Sequence, residues 1–215
     1  MKNYIEYIDL LRLAGIHRIL GVDVSDEHIR IVELEKRGPV YNRFKASFRL
    51  VKTLSLEIEG VLSTTQKAEK LKKLLEEQQI ATRFAVSAIQ SLGVKTVTTK
   101  IPANVRNIDE WIDENQEKLL RLPIAASEIQ HVFEILDSNE SETTVEISFV
   151  RKSDVEQHKT LLKEAGLELV ALGVGHRDGK KTHSLGISAE YNLAAALAIK
   201  GFLPETSPLN ILGRD

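Results

Sequence analysis

Cysteine is absent from all 215 residues. That removes disulfides, thiol nucleophiles and cysteine-ligated zinc, and it fits a reducing compartment. Neither charge sign is in excess: 29 basic residues face 31 acidic ones, leaving a net charge of −2. A nucleic-acid binder shows a basic surplus, and none is present. Long apolar runs are missing too. The most apolar stretch, Leu193 to Ile199 (LAAALAI), is far short of a membrane span, which needs ~20 such residues. At the N-terminus, MKNYIEYIDLLRLAGI places Glu6 and Asp9 among its apolar positions, where a signal peptide has an uninterrupted apolar region. The pattern predicts a short amphipathic helix docked on the protein's own core, with too few basic residues for a lipid surface.

Catalytic and metal patterns are also lacking. Histidines stand at 17, 28, 131, 158, 176 and 183, and none joins an H-E-x-x-H pair. No G-x-S-x-G elbow exists. The carboxylate pairs Asp109/Asp113 and Glu76/Glu77 fall on helix faces expected to be solvated. The stretch GVGHRDGKKT, Gly173 to Thr182, imitates a phosphate loop. It has five residues rather than four between Gly173 and Gly179, and Lys181 stands where a magnesium-binding hydroxyl belongs. It reads as a basic connector. No enzyme, no metal site and no cofactor is expected from these residues.

What the chain does have is enough apolar residue to fold: 42% hydrophobic against 28% charged. At this length it forms one large domain or two small ones. ILGVDVSDEHIRIVEL, residues 19–34, reads as a strand, a polar turn and a second strand. A third strand is expected over Tyr41–Leu50, with Lys52–Leu62 irregular or extended. A helix follows over Ser63–Gln79, opened by a Ser63/Gln66 capping box and carrying the apolar stripe Ala68, Leu71, Leu74, Leu75. Strands are expected over Phe84–Ile89 and Val94–Ile101. Asn107 and Glu110 cap a helix over Ile108–Leu120, with Ile108, Trp111, Ile112 and Leu119 inward. Strands at Gln130–Leu136 and Thr143–Val150 flank a polar loop. Ser153 with Glu156 opens a helix closed by Gly166, then come a strand, Leu167–Val174, and a last helix, Ser188–Lys200, with Gly201 behind it. Hairpins mixed with helices imply a mixed α/β sheet system rather than a uniformly parallel one.

The Asp23 turn is the first candidate site. Asp23 sits where an actin-like nucleotide hairpin places its magnesium-directing acid. Ser25 occupies the glycine position, and its Cβ obstructs close approach of a phosphate. Asp26 and Glu27 add negative charge beside it. The hairpin therefore reads as ordinary or vestigial. The second candidate is the tail SPLNILGRD, whose Leu209, Ile211 and Leu212 lie on an extended, proline-flanked segment suited to docking in a groove or on a sheet edge. A frayed terminus is the equal alternative.

Taken in order, these segments resemble the PilM family of type IV pilus assembly proteins, relatives of actin-like FtsA. LGVDVSDEHIRIVEL is similar to that family's opening hairpin, usually closer to I-G-L-D-I-G-S-x-x-I-K-V-V-E-L. FAVSAIQSLGVKTVTTKIP resembles its strand pair ending in a Leu-Pro step. IDEWIDENQEKLLRLPIAASEIQHVFEIL resembles its helix, turn and strand. VEISFVRKSDVEQHKTLLKEAGLELVALGV resembles its strand-helix-strand with a K-x-A-G-L step, and SLGISAEYNLAAALAIKGFLP its closing helix. The resemblance runs from about residue 17 to near the end. It implies an α/β fold: a single actin-like (ribonuclease H-like) lobe over 1–62 and 151–206, an inserted α/β subdomain over 63–150, and a tail over 207–215.

The departures matter as much. Family members continue after the LELVALGV strand into a second lobe that completes the nucleotide pocket, whereas here Gly175–Leu185 leads to the closing helix. With Ser25 in the hairpin as well, ATP binding is not carried over. The resemblance implies a cytoplasmic scaffold of a type IV pilus or type II secretion-like assembly, held at the inner membrane by a partner rather than inserted. It would bind the N-terminal tail of a PilN-like membrane protein between lobe and insertion. Leu209, Asn210, Ile211 and Leu212 are similar to that tail's usual I-N-L-L-P, so the chain's own end would fill its groove or a neighbour's, giving self-association. The alternative is a nucleotide-responsive actin-like ATPase completed by a separate lobe.

Overall fold

The computed structural model describes residues 16–37, 47–89, 94–121, 125–174 and 187–202. The expected N-terminal helix, most of the 173–182 loop and the tail lie outside them. Along the described chain run β1 (Arg18–Val24), β2 (His28–Arg37), β3 (Ser47–Glu57), α1 (Thr64–Glu77), β4 (Phe84–Ile89), β5 (Lys95–Pro102), α2 (Ile108–Leu120), β6 (Ile129–Ser138), β7 (Glu142–Arg151), α3 (Lys152–Glu164), β8 (Glu168–Val174) and α4 (Asn192–Phe202).

The main sheet has the order β3-β2-β1-β4-β8. β1, β2 and β3 form an antiparallel meander, while β4 and β8 pair parallel to β1 and to each other. Both faces are covered, which is why β1 and β4 read as nearly continuous apolar runs. On one face Leu20, Val22, Val24, Ile29 and Ile31 pack with Ala68, Leu71 and Leu75 of α1 and Leu161 and Leu162 of α3. On the other, Ile19, Val32, Leu34, Val86 and Ala88 pack with Ala194, Ala195, Leu197 and Ala198 of α4. At α1 the expected capping box forms in both directions, Gln66 N–H to Ser63 Oγ and Ser63 N–H to Gln66 Oε1. Burying Leu71 and Leu75 contributes roughly 2 kcal/mol each, against about 1 kcal/mol for a cap. Packing therefore holds the helix, and the cap sets where it begins.

The third strand corrects the sequence reading. It covers Ser47–Glu57, later than the expected 41–50 and into the segment read as irregular or extended, and pairs with β2 from Arg37↔Ser47 to His28↔Glu57. The register shifts between Glu33 and Leu34, leaving Val51 unmatched. A bulge exchanges the two faces of a strand. Phe48 and Leu50 thus pack against the α4 side, while Leu54 and Leu56 pack against the α1 side. In sequence the apolar residues keep one even-numbered alternation, interrupted at Val51-Lys52, and the bulge sends its two halves to opposite faces.

A second, antiparallel sheet of order β5-β7-β6 carries α2 against it. It is inserted between β4 and α3. The inner boundary expected at residue 63 moves accordingly, because α1 packs on the main sheet and β4 sits between β1 and β8. The insertion starts after β4, near residue 94. Val132 and Val150 from the insertion join Ile89, Val155, Leu172 and Val174 of the lobe in one cluster that closes the junction.

Three helix ends also differ. Asn107 Oδ1 accepts the Glu110 N–H at 3.4 Å, so the asparagine half of that box forms. α3 starts directly from β7 at Lys152 without a side-chain cap, and Ser153 Oγ bonds Asp154 instead. Gly201 lies inside α4 rather than behind it. Gly166 closes α3 with φ +80°, as expected.

Candidate functional site

The candidate site is the β1–β2 turn, at the end of the sheet where the parallel strands finish. Asp23 is buried, 4% exposed. Its Oδ2 accepts from His28 Nε2 at 3.2 Å, and His28 Nδ1 faces Ser25 Oγ at 3.1 Å. The Ser25 hydroxyl also reaches the His28 carbonyl oxygen at 3.3 Å, a second acceptor for its proton beside Nδ1. Ser25 Oγ in turn accepts the backbone N–H groups of His28 (3.0 Å) and Glu27 (3.2 Å). Ser25 N–H donates to the His28 carbonyl at 2.9 Å, and the Glu27 carbonyl takes Ile58 N–H.

Asp23, His28 and Ser25 are the three side-chain types of a hydrolytic triad. The two amides of its own turn occupy both lone pairs of the Ser25 oxygen. The same two amides are the kind of donors a phosphate-binding hairpin aims at its ligand. Sequence reasoning placed the obstruction at the Ser25 Cβ. In the structure the Ser25 hydroxyl, rather than its Cβ, is what meets these two amides. His28, which sequence reasoning did not connect with Asp23, bonds its carboxylate. Asp26 is not an uncompensated charge either: Lys67 Nζ of α1 lies 2.6 Å from it. Replacing Ser25 with alanine strips both amides of their acceptor and releases His28. Urea unfolding should show a loss of about 1–2 kcal/mol.

Two more contacts tie the turn to the lobe. Arg30, opposite Asp23 in the β1–β2 register, donates to the Glu190 carbonyl at 3.2 Å and so fastens the segment leading into α4. On the opposite face of the sheet, Ser87 Oγ donates to the Val22 carbonyl at 2.6 Å and meets His158 Nε2 of α3 at 2.8 Å. Ser87 spends its proton on the carbonyl, so His158 is the donor and must carry its hydrogen on Nε2. Burial first, and the Lys67 charge second, push the His158 pKa down to about 4. With its pKa lowered this far, the imidazole is neutral at pH 7 and holds Ser87 as a hydrogen-bond donor.

In the insertion, His131 of β6 is buried between Asp109 at 3.2 Å and Asp113 at 3.3 Å. Both carboxylates lie on a solvated helix face, as expected, and in addition reach His131. The i,i+4 spacing on α2 presents both to one ring, which a histidine isolated in sequence gives no hint of. Among the described residues no group of three or more such side chains is arranged so that it could hold a metal ion. No described helix is long and apolar enough to cross a membrane. The tail residues Leu209, Asn210, Ile211 and Leu212, and the basic residues of the 175–183 loop, lie outside the described part of the chain.

An antiparallel meander continued by two parallel strands, with helices on both faces and a small α/β unit inserted after the fourth strand, is a single actin-like, ribonuclease H-like lobe. No family model and no curated protein matches the sequence. Among solved structures, the chain is similar to one from the PilM-PilN type IV pilus biogenesis complex. That match has a TM-score of 0.60 at 21% identity and covers 74% of this chain and 47% of the other. A looser likeness is to the cytoplasmic domain of EpsL, an inner membrane component of the type II secretion system of Vibrio cholerae, with a TM-score of 0.46 at 12% identity over 73% of this chain and 56% of that one. A Bacteroides thetaiotaomicron protein with an actin-like ATPase fold gives 0.38 at 15% identity over 73% of this chain and 52% of that one. The chain spans about half the length of these structures.

Proposed function

We propose that this chain is a non-enzymatic scaffold of a pilus or secretion-type assembly, working on the cytoplasmic side of an inner membrane. In that role it holds the N-terminal tail of a PilN-like membrane protein at the junction between lobe and insertion. The observation that carries the reading is the actin-like lobe with its insertion, matched over 74% of the chain by a structure from the PilM-PilN complex. The closed hairpin supports it from the other side. A turn whose amides bond its own serine, and whose aspartate is engaged by histidine, is built to be rigid rather than to take phosphates. The tail residues Leu209–Leu212 are proposed to compete with the partner peptide for the same place.

Calorimetry decides between this reading and a nucleotide-responsive one. A synthetic PilN-type N-terminal peptide should bind with a micromolar Kd, and more tightly after deletion of residues 207–215. Magnesium-ATP at millimolar concentration should leave the melting temperature unchanged. ATP binding abolished by Asp23→Ala would replace the scaffold by an ATPase lobe. Peptide affinity unchanged by the deletion would remove the tail from the proposal while leaving the scaffold standing.

A further inference from the structure

We infer that the distal half of β6, Glu134 to Ser138, is a docking edge for an extended partner segment in which basic and aliphatic residues alternate. β6 is an outer strand of the three-stranded sheet. Sheet edges exposed to solvent are commonly guarded by lysine, arginine or proline, which discourage a further strand. β3 carries Arg49 and Lys52, and β5 carries Lys95, Lys100 and Pro102. The sequence of β6, IQHVFEILDS, contains none of the three, and neither does that of β8, ELVALGV, the other outer strand of the main sheet, so what sets β6 apart is what it exposes. It instead exposes Ile135 (52%) and Leu136 (49%), two of the large apolar side chains most open to solvent among the described residues. A register shift between Ile135 and Asp137 leaves Leu136 unmatched and turns it outward beside Ile135.

The two faces of this edge differ in chemistry. Ile135 continues the row of His131 and Phe133, on the face that packs with α2. Glu134 lies on the other face, directly opposite Glu146 of β7. Two carboxylates in cross-strand register repel each other. Asp137 and Glu140 extend the acidic surface toward the hairpin tip. Lys100 of β5 is held by Glu142 at the start of β7. A strand added beside β6 would set alternate residues on opposite faces. Those on the Glu134 side would meet acid and those on the Ile135 side an apolar surface. Pairing with a second copy of β6 would bring Glu134 and Asp137 against their own kind, so charge selects a basic partner over self-association. An anionic membrane is disfavoured by the same carboxylates. This inference does not rest on the pilus reading.

The probe is a seven-residue peptide alternating lysine and valine, titrated into the isotopically labelled full chain. Amide shifts should concentrate at residues 134–138, and affinity should fall at least about tenfold in the double variant Glu134→Lys/Asp137→Lys. That variant should instead accept a peptide alternating glutamate and valine. A lysine–valine peptide of the same composition in blocks should bind at least about tenfold more weakly, because it cannot match both faces at once. Shifts centred elsewhere, or equal affinity for the block peptide, would overturn the inference. So would a concentration-dependent dimer lost in Ile135→Ser, which assigns the edge to a second copy. Binding to phosphatidylglycerol vesicles lost in Leu136→Ser would overturn it in favour of a membrane.

Discussion

Alanine at Gly21 should cost the protein about 4 kcal/mol or more and leave little soluble folded chain at 37 °C. A Cβ built at Gly21 would lie 1.7 Å from the Ala194 carbonyl oxygen and 2.8 Å from the Ala198 backbone nitrogen. The obstacle is helix backbone, which cannot rotate aside as a side chain does. α4 would have to lift off β1 bodily, and the packing of Ala194, Ala195, Leu197 and Ala198 on the sheet would go with it. Gly201 sits in the same seam, where a Cβ would approach Ile19 Cδ1 at 2.5 Å and Val86 Cγ2 at 2.6 Å. Those neighbours are side-chain tips that can shift, so Gly201→Ala should cost less, about 1–3 kcal/mol. Thermal and urea unfolding of the two variants provide the test. A Gly21→Ala protein melting within a few degrees of wild type would mean that α4 is not seated as described. Gly60 is a control of the other kind: φ is +76° with open space around it, so alanine there should cost only about 1 kcal/mol of backbone strain.

Acidification should reveal His158. Its pKa falls from 6.5 to about 4 in the folded chain, so between those values the unfolded chain holds a proton that the folded chain does not. Stability therefore rises with pH across this window. The contribution is complete above pH 6.5 and lost as pH falls through 4. A shift of that size corresponds to about 3 kcal/mol, and partial exposure of the residue on α3 brings the expected loss nearer about 2 kcal/mol. His158→Gln keeps a donor for Ser87 without the titration. The gap between wild type and variant in urea-derived stability should shrink by about 2 kcal/mol from pH 7 to pH 4. A constant gap would show that His158 does not titrate as described. Glu35, whose pKa is lowered chiefly by its hydrogen bond from Arg49, acts in the same direction but only below about pH 4.5. The two effects separate by window.

Much of the element order was legible because local signals agreed with tertiary placement. Ser63 with Gln66, the Leu71/Leu75 stripe, Asn107 and Gly166 each mark an end or a face through bonds made within a few residues. The middle of β3 was not legible, because its bulge at Val51 is decided by the partner strand. Nor was the place of β4 in the main sheet. A strand followed by a hairpin-rich segment looks like part of that segment, and only the parallel pairing with β1 and β8 assigns it otherwise. At the candidate site, Asp23 and Ser25 were found from their position in a turn. The role of His28 was missed, since its partner Asp23 lies five residues away across a reversal of the chain. Ser87 and His158 are 71 residues apart and no motif connects them.

Sequence alone determined the absence of thiol chemistry, the mixed α/β class, the caps and the two-stranded opening with serine in place of glycine. These follow from composition and from interactions short enough to be written within one turn of chain. Tertiary structure alone decided which strands share a sheet, that Gly21 is the contact point for α4, and that the serine hydroxyl closes the turn by taking its amides. Those outcomes depend on distances between segments far apart in the chain. Close packing sets such distances for the molecule as a whole, and no local pattern encodes them.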